Sequence, residues 1–187
     1  MLKPTLALAA LAIAAACGNT LTRLDVPVVA STLQVNASVS SVMVRSVSLP
    51  TYASAEEIAL ETEPGVITSD GKLLSADDPS RAVTLSLTQS LDGILDATVG
   101  PDPWPFAGIP DVSVDVRVSE MLGSAVTGTF RLAGQYYIGG DGIDFADRSR
   151  TFAYTIPMPT ADVPGAVAAQ GTAVVQLAEE IARQLSR

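Results

Sequence analysis

The sequence predicts an α+β domain in which an antiparallel sheet carries two main amphipathic helices on one face. Three observations predict it. Residues 112–119 (VSVDVRVS) alternate strictly, with Val112, Val114, Val116 and Val118 on one side and Ser113, Asp115, Arg117 and Ser119 on the other. That is the period of a half-buried antiparallel strand. Upstream, Val83, Leu87, Leu91 and Leu95 recur every four residues with Leu85 and Ile94 beside them, the spacing of a buried helix face. A second such stripe, Val167, Val174, Leu177, Ala178, Ile181 and Leu185, closes the chain. The order strands, helix, strands, helix suits helices gathered on one face of a sheet.

The chain opens with a leader. Lys3 supplies a positive end, and residues 6–16 are Leu, Ala and Ile only, too few for a membrane-spanning helix of about 20 apolar residues. Three alanines then precede Cys17, the only cysteine. Residues 1–16 read as an export signal cut before Cys17. The triplet and cysteine resemble the lipobox of bacterial lipoproteins, with Ala14 where Leu is usual. An ordinary cleaved signal with an incidental cysteine is the alternative. Lipidation at Cys17 makes physical sense, because one acyl chain anchors only marginally while two or more hold a protein on a membrane. In the lipoproteins this resembles, aspartate after the cysteine retains the protein at the inner membrane. Gly18 and Asn19 stand there instead, so the resemblance implies the outer membrane, on its periplasmic face.

Residues 17–35 read as a lipidated N-terminus with a tether or possible first strand, there being no clear period from Asn19 to about Val29; 36–187 form one domain. Residues 36–49 alternate with one shift, as a bulged strand does, and Pro50 ends it. Ser54 is placed to cap a short turn, and 58–61 is free to run extended. Residues 66–74 suggest a hairpin turning at Asp70-Gly71. Asp78 is a good N-cap with Pro79 in the first helical position, and Gly100 and Pro101 are expected to stop that helix. A proline-rich connection carrying Trp104 leads to the alternating strand. Two further strands follow, over 128–140 and 145–159, around a GGDG turn. The last helix contains Gly171, a candidate interruption.

Composition narrows the chemistry. The 187 residues carry a net charge of −9, which disfavours nucleic acid and a polybasic grip on anionic lipid. There is no histidine, and no cysteine besides Cys17. The usual zinc sites, Cys–His pairs, Ser–His–Asp triads and disulfides are therefore excluded. No phosphate loop or dinucleotide fingerprint occurs, and Lys72 is the one lysine beyond the leader. No catalytic residue, cofactor or metal is assigned, and the chain is read as a non-enzyme. Residues 139–147 (GGDGIDFAD) match one unit of a calcium-binding β-roll, with Asp141, Asp144 and Asp147 as oxygen donors. Such rolls need stacked copies, so a Gly/Asp turn is the better reading. Glu56, Glu57, Glu61 and Glu63 read as a solvated acidic face. Tyr136 and Tyr137 place one ring inward and one outward, for packing or for a partner. Trp104, held between Pro103 and Pro105, is either a lid over the core or a contact that loses little entropy on docking.

Together, a valine- and serine-rich strand ending in LPTY, the acidic stretch after it, a hairpin and a long amphipathic helix resemble the ABC-type transport auxiliary lipoproteins, the PqiC-like family of Gram-negative envelopes. The resemblance continues through VSVDVRVSEM to the C-terminal helix. Two stretches depart from it: LTRL at 21–24, where relatives often have Tyr-Tyr-x-Leu, and SADDPSRAV at 75–83, where many carry Arg-Trp. The resemblance implies a non-catalytic subunit of an MCE-type intermembrane lipid transport system. Its partners would be a periplasmic MCE-domain protein with its ABC permease and ATPase, and a lipid anchor would hold it to the membrane. Cys17 is the anchor, and Leu49, Pro50, Tyr52 and Trp104 are the expected docking residues. Nucleic acid is not a partner; a homo-oligomer is compatible. The alternative is an assembly factor or plug for another outer-membrane machine.

Overall fold

A computed structural model describes residues 20–140 and 145–186. Cys17 and residues 141–144 of the GGDG stretch lie outside the described residues. The architecture is built around one long strand, β6 (Val112–Ser124). One of its edges pairs antiparallel with β7 (Thr129–Gly140), which pairs antiparallel with β8 (Arg148–Pro157). The other edge is shared by two shorter strands set end to end. β2 (Ser41–Val44) pairs with Val112–Val114, and β3 (Glu57–Glu63) pairs with Gly123 and Ser124, both parallel to β6. β5 (Thr98–Pro101) extends the sheet from β2. On the other side β4 (Val66–Ser75) extends it from β3, and β1 (Thr22–Leu24) from β4.

The α+β class holds, and within it the sheet is mixed. β6–β7–β8 and β3–β4 are antiparallel, whereas β1–β4, β2–β5, β2–β6 and β3–β6 are parallel. Alternation reports which face a side chain takes, but not the direction of the neighbouring strand. The two parallel pairs made with β6 arise because residues 41–63 accompany it from end to end. Arg45 and Ser48 donate to the Val114 and Val116 carbonyls at 2.9 and 3.0 Å, and Val118 donates to Ser48 at 2.9 Å. Only the short helix α1 (Thr51–Ser54) steps away from the strand.

Helices α2 (Pro79–Ile94) and α3 (Val163–Gln184) lie side by side on one face of the sheet. Val83, Leu87, Leu91 and Ile94 of α2, and Val174, Leu177 and Ile181 of α3, are buried with Val112, Val114, Val116, Leu132 and Ile138 in one core. Asp78 accepts from Arg81 N at 2.8 Å and Asp162 from Gly165 N at 2.9 Å, each with proline at the start of its helix. In β6 the inward face switches at Ser119. The pairing passes from Val118↔Gly134 to Glu120↔Ala133, so Met121 rather than Glu120 falls in register with inward Leu132. One extra residue reverses the alternation.

Several expected boundaries move. The strand expected over 36–49 is regular only at 41–44. The hairpin turns at Pro64-Gly65, where Gly65 has φ +76, rather than at Asp70-Gly71. Asp70-Gly71 forms an irregularity inside β4, with Lys72 N donating to Asp70 Oδ1 at 3.0 Å. Ser54 closes α1 by donating to Thr51 O. Helix α2 ends at Ile94, and Gly100 and Pro101 lie in β5, because that segment completes the sheet beside β2. Gly171 does not interrupt α3. It lets the N-terminal segment cross the helix, since a Cβ there would stand 2.5 Å from the Pro27 carbonyl oxygen.

Candidate functional site

The proline-rich loop between β5 and β6 covers the helix-free face of the sheet. Met43 and Gly100 are paired there. A Cβ on Gly100 would lie 3.0 Å from the side chains of Trp104 and Pro105, so the indole lies directly over the strand. Trp104 is thus a lid, but over the outer face of the sheet, and it is not a member of the core cluster. Its ring meets Phe106 edge-on, with centroids 4.9 Å apart. Asp111 fastens the end of the loop by accepting from Ser40 N and Ser41 N at 2.7 and 3.2 Å.

Two features set this loop apart. Phe106 is 50% and Ile109 71% exposed, and Ile109 borders, with Met43, Trp104 and Gly140, a shallow depression of about 480 Å³. Among the described residues, Trp104 Nε1 is also the one buried side-chain polar atom lacking a hydrogen-bond partner. Phe106 and Ile109 were missed in the sequence. The signal available was weak: apolar residues outside any period, in a segment whose prolines prevent a strand or helix from hiding them.

The other expected docking residues sit elsewhere. Leu49 and Tyr52 pack against the core, with Pro50 half-buried beside them. The Tyr52 hydroxyl accepts from Met121 N at 3.2 Å. That N–H belongs to the stretch of β6 between its two parallel neighbours, where no strand is available to receive it. The LPTY turn therefore completes the sheet edge. Trp104 lies toward the opposite end of β6, so the four residues do not converge.

The acidic residues do not form a constellation. Glu61 meets Arg131 at 3.3 Å, and Glu120 meets the same arginine at 2.6 Å. The Gly65 N–H first, then Ser124 and Arg131, hold the Glu61 carboxyl below its ordinary value against the opposing effect of burial. Glu56 pairs with Arg23 at 3.1 Å, while Glu57 and Glu63 are exposed. Tyr136 points inward and is fully buried, whereas Tyr137 lies outward under the Arg117 guanidinium at 5.1 Å. Glu180 of α3 accepts from the Tyr136 hydroxyl at 3.1 Å and also from Tyr154. Burial first, and the Glu180 carboxylate second, raise both phenols above their ordinary range.

An apolar cavity beside α1 is lined by Leu24, Tyr52, Ile58, Met121, Phe130 and Val167 and holds about 50 Å³. Sites for drug-sized ligands run to about 300–1,000 Å³, so it has no room for a lipid as it stands. Among the described residues, no group of three or more His, Cys, Asp or Glu could hold a metal ion, and no helix is long and apolar enough to cross a membrane.

The fold is a mixed sheet with two helices on one face and an apolar loop on the other. The chain belongs to the family described as ABC-type transport auxiliary lipoprotein component, which its residues 23–182 match. That family is one of transport auxiliary lipoproteins, not of known enzymes. No significant match is found among curated proteins. Solved structures share the fold. The crystal structure of an uncharacterized protein superposes with a TM-score of 0.73 at 17% identity, over 89% of this chain and 99% of that one. A protein from Xanthomonas campestris superposes with a TM-score of 0.66 at 16% identity, over 86% and 92%.

Proposed function

We propose that this protein is the lipid-anchored, non-catalytic subunit of an MCE-type intermembrane lipid transport system, docking the periplasmic MCE component at the outer membrane. Family membership across residues 23–182 carries the reading, and the Cys17 context supplies the anchor. The fold supports a binding role, with the Trp104 loop as its docking surface. Phe106 and Ile109 offer exposed apolar contacts on a proline-stiffened frame, the kind of preorganised aromatic anchor that dominates interfaces. Leu49 and Tyr52 contribute by holding the sheet edge.

The test is affinity capture of the full-length protein from gently solubilised native membranes, followed by mass spectrometry. An MCE-domain protein with its permease and ATPase is expected, and replacing Phe106 and Ile109 together by Ser should lower its recovery by about tenfold or more, the scale of a hot-spot pair. A β-barrel as the sole stable companion would overturn the proposal.

A further inference from the structure

Seven large hydrophobic residues are exposed among those described: Leu21, Val28, Val66, Ile67, Phe106, Ile109 and Val126. Phe106 and Ile109 belong to the Trp104 loop. Val66, Ile67 and Val126 gather at the far end of β6. Ala125 N donates to Glu61 O at 2.9 Å, and Glu63 pairs with Val66 across the β3–β4 turn. The two turns that close β3–β4 and β6–β7 thus share one rim. The β3–β4 hairpin also projects, because residues 66–72 are all exposed while β1 pairs only from Leu73 onward. About 35 Å of β6 separates this rim from the Trp104 loop, at roughly 3.3 Å per residue.

The chain enters the fold beside this hairpin. β1 runs parallel to β4 with Thr22 opposite Leu73, so the backbone arrives along the edge that leads to Ile67. The six steps of β4 from Leu73 to Ile67 span at most about 20 Å, and the five steps from Cys17 to Thr22 reach about 17 Å. An anchor on Cys17 can therefore come to within about 3 Å of the level of Ile67, with the hairpin tip reaching slightly beyond it. Leu21, 54% exposed, is next to this path.

We infer that this rim is a membrane-contact surface: Val66 and Ile67 at the hairpin tip, with Val126 beside them, rest in the headgroup region of a zwitterionic lipid surface while the acyl chains on Cys17 hold the protein there. The inference rests on the lipid-anchor reading and adds an orientation to it, with β6 directed away from the bilayer and the Trp104 loop presented to the periplasm. Charge favours zwitterionic lipid. Glu63 lies beside the tip and Asp70 farther along β4, with Lys72 as the one cation of the hairpin, while Glu61 is already paired with Arg131. The unpaired charge is net negative or neutral, so an anionic surface gains nothing there.

Full-length lipidated protein in phosphatidylcholine–phosphatidylethanolamine vesicles tests this, with an environment-sensitive fluorophore on Ile67→Cys, Val126→Cys or Ile109→Cys. These positions are 43%, 48% and 71% exposed, so the substitutions leave the core untouched. Lipids brominated along the acyl chain should quench the labels at 67 and 126 by about twofold, as for groups lying roughly 5–10 Å into the interface, and leave the label at 109 unchanged. Vesicle-bound protein whose label at 67 is as unquenched as that at 109 overturns the inference and spares the anchor. A label at 67 that is shielded without lipid quenching, in proportion to protein concentration, assigns the rim to a second copy and also overturns it. Protein that leaves the vesicles with Cys17 intact defeats the anchor reading and this inference together.

Discussion

Replacing Tyr52 by Phe separates a structural role for the LPTY turn from a docking role. The ring packs on the core and would remain; the change removes only the hydroxyl that accepts from Met121 N at 3.2 Å. That N–H lies just past the bulge at Ser119 on an edge where β2 has ended and β3 has not yet begun to pair. Phenylalanine offers it no acceptor, and a partly buried donor left unpaired costs about 1–3 kcal/mol. For a domain of this size each kcal/mol lowers Tm by about 2–4 °C, so Y52F should melt about 2–12 °C below the parent. In urea the midpoint should fall with an unchanged slope, because the area exposed on unfolding is the same. Capture of the transport partner should be unaffected at a temperature where both proteins are folded. A melting temperature within about 1 °C of the parent would refute the reasoning. Partner loss without destabilisation would place Tyr52 at the interface instead.

Three further predictions rest on named contacts. Gly171→Ala, a change that favours a free helix by roughly 1 kcal/mol, should here destabilise, because the new Cβ meets the Pro27 carbonyl oxygen at 2.5 Å; hydrogen exchange over 25–33 should speed up while the sheet stays protected, and unchanged exchange there would disprove the crossing. Glu180→Ala removes the acceptor of the Tyr136 and Tyr154 hydroxyls and should cost about 2–4 kcal/mol, read from urea denaturation. In the parent those phenols titrate above the ordinary value of 10.0. The stability they contribute is therefore complete below about pH 10 and lost as pH rises toward their folded values, since the unfolded chain releases its protons first. A parent whose stability is flat with pH across that alkaline range would contradict this.

Much of the fold was legible in the residues themselves. Helix positions follow from local facts: Asp78 ahead of a proline, and apolar stripes that permit only one buried face; the matching cap at Asp162 came from the structure. The Val112–Val118 alternation correctly assigns the core side of β6. The candidate site was less legible. Trp104 stood out as the only indole in a proline-rich loop, but Phe106 and Ile109 gained importance only when no other element covered them. Tyr52 looked like a surface residue because nothing local shows that a strand edge 69 residues away lacks an acceptor.

What the sequence determined by itself was therefore everything set by short-range pattern: the α+β class, the Asp78 cap, the acidic surface, and the lipobox-like Cys17 context. The tertiary structure alone decided which strands neighbour one another and in which direction. β6 is long enough to hold β2 and β3 on one edge, and the chain that joins them travels the same way, so parallel pairs enter a sheet whose alternation suggested antiparallel ones. Gly171 could continue its helix because the distant Pro27 segment uses the space its missing side chain leaves. Period and propensity are local properties of a chain; pairing partners and close approaches depend on residues far apart in it, and only packing brings them together.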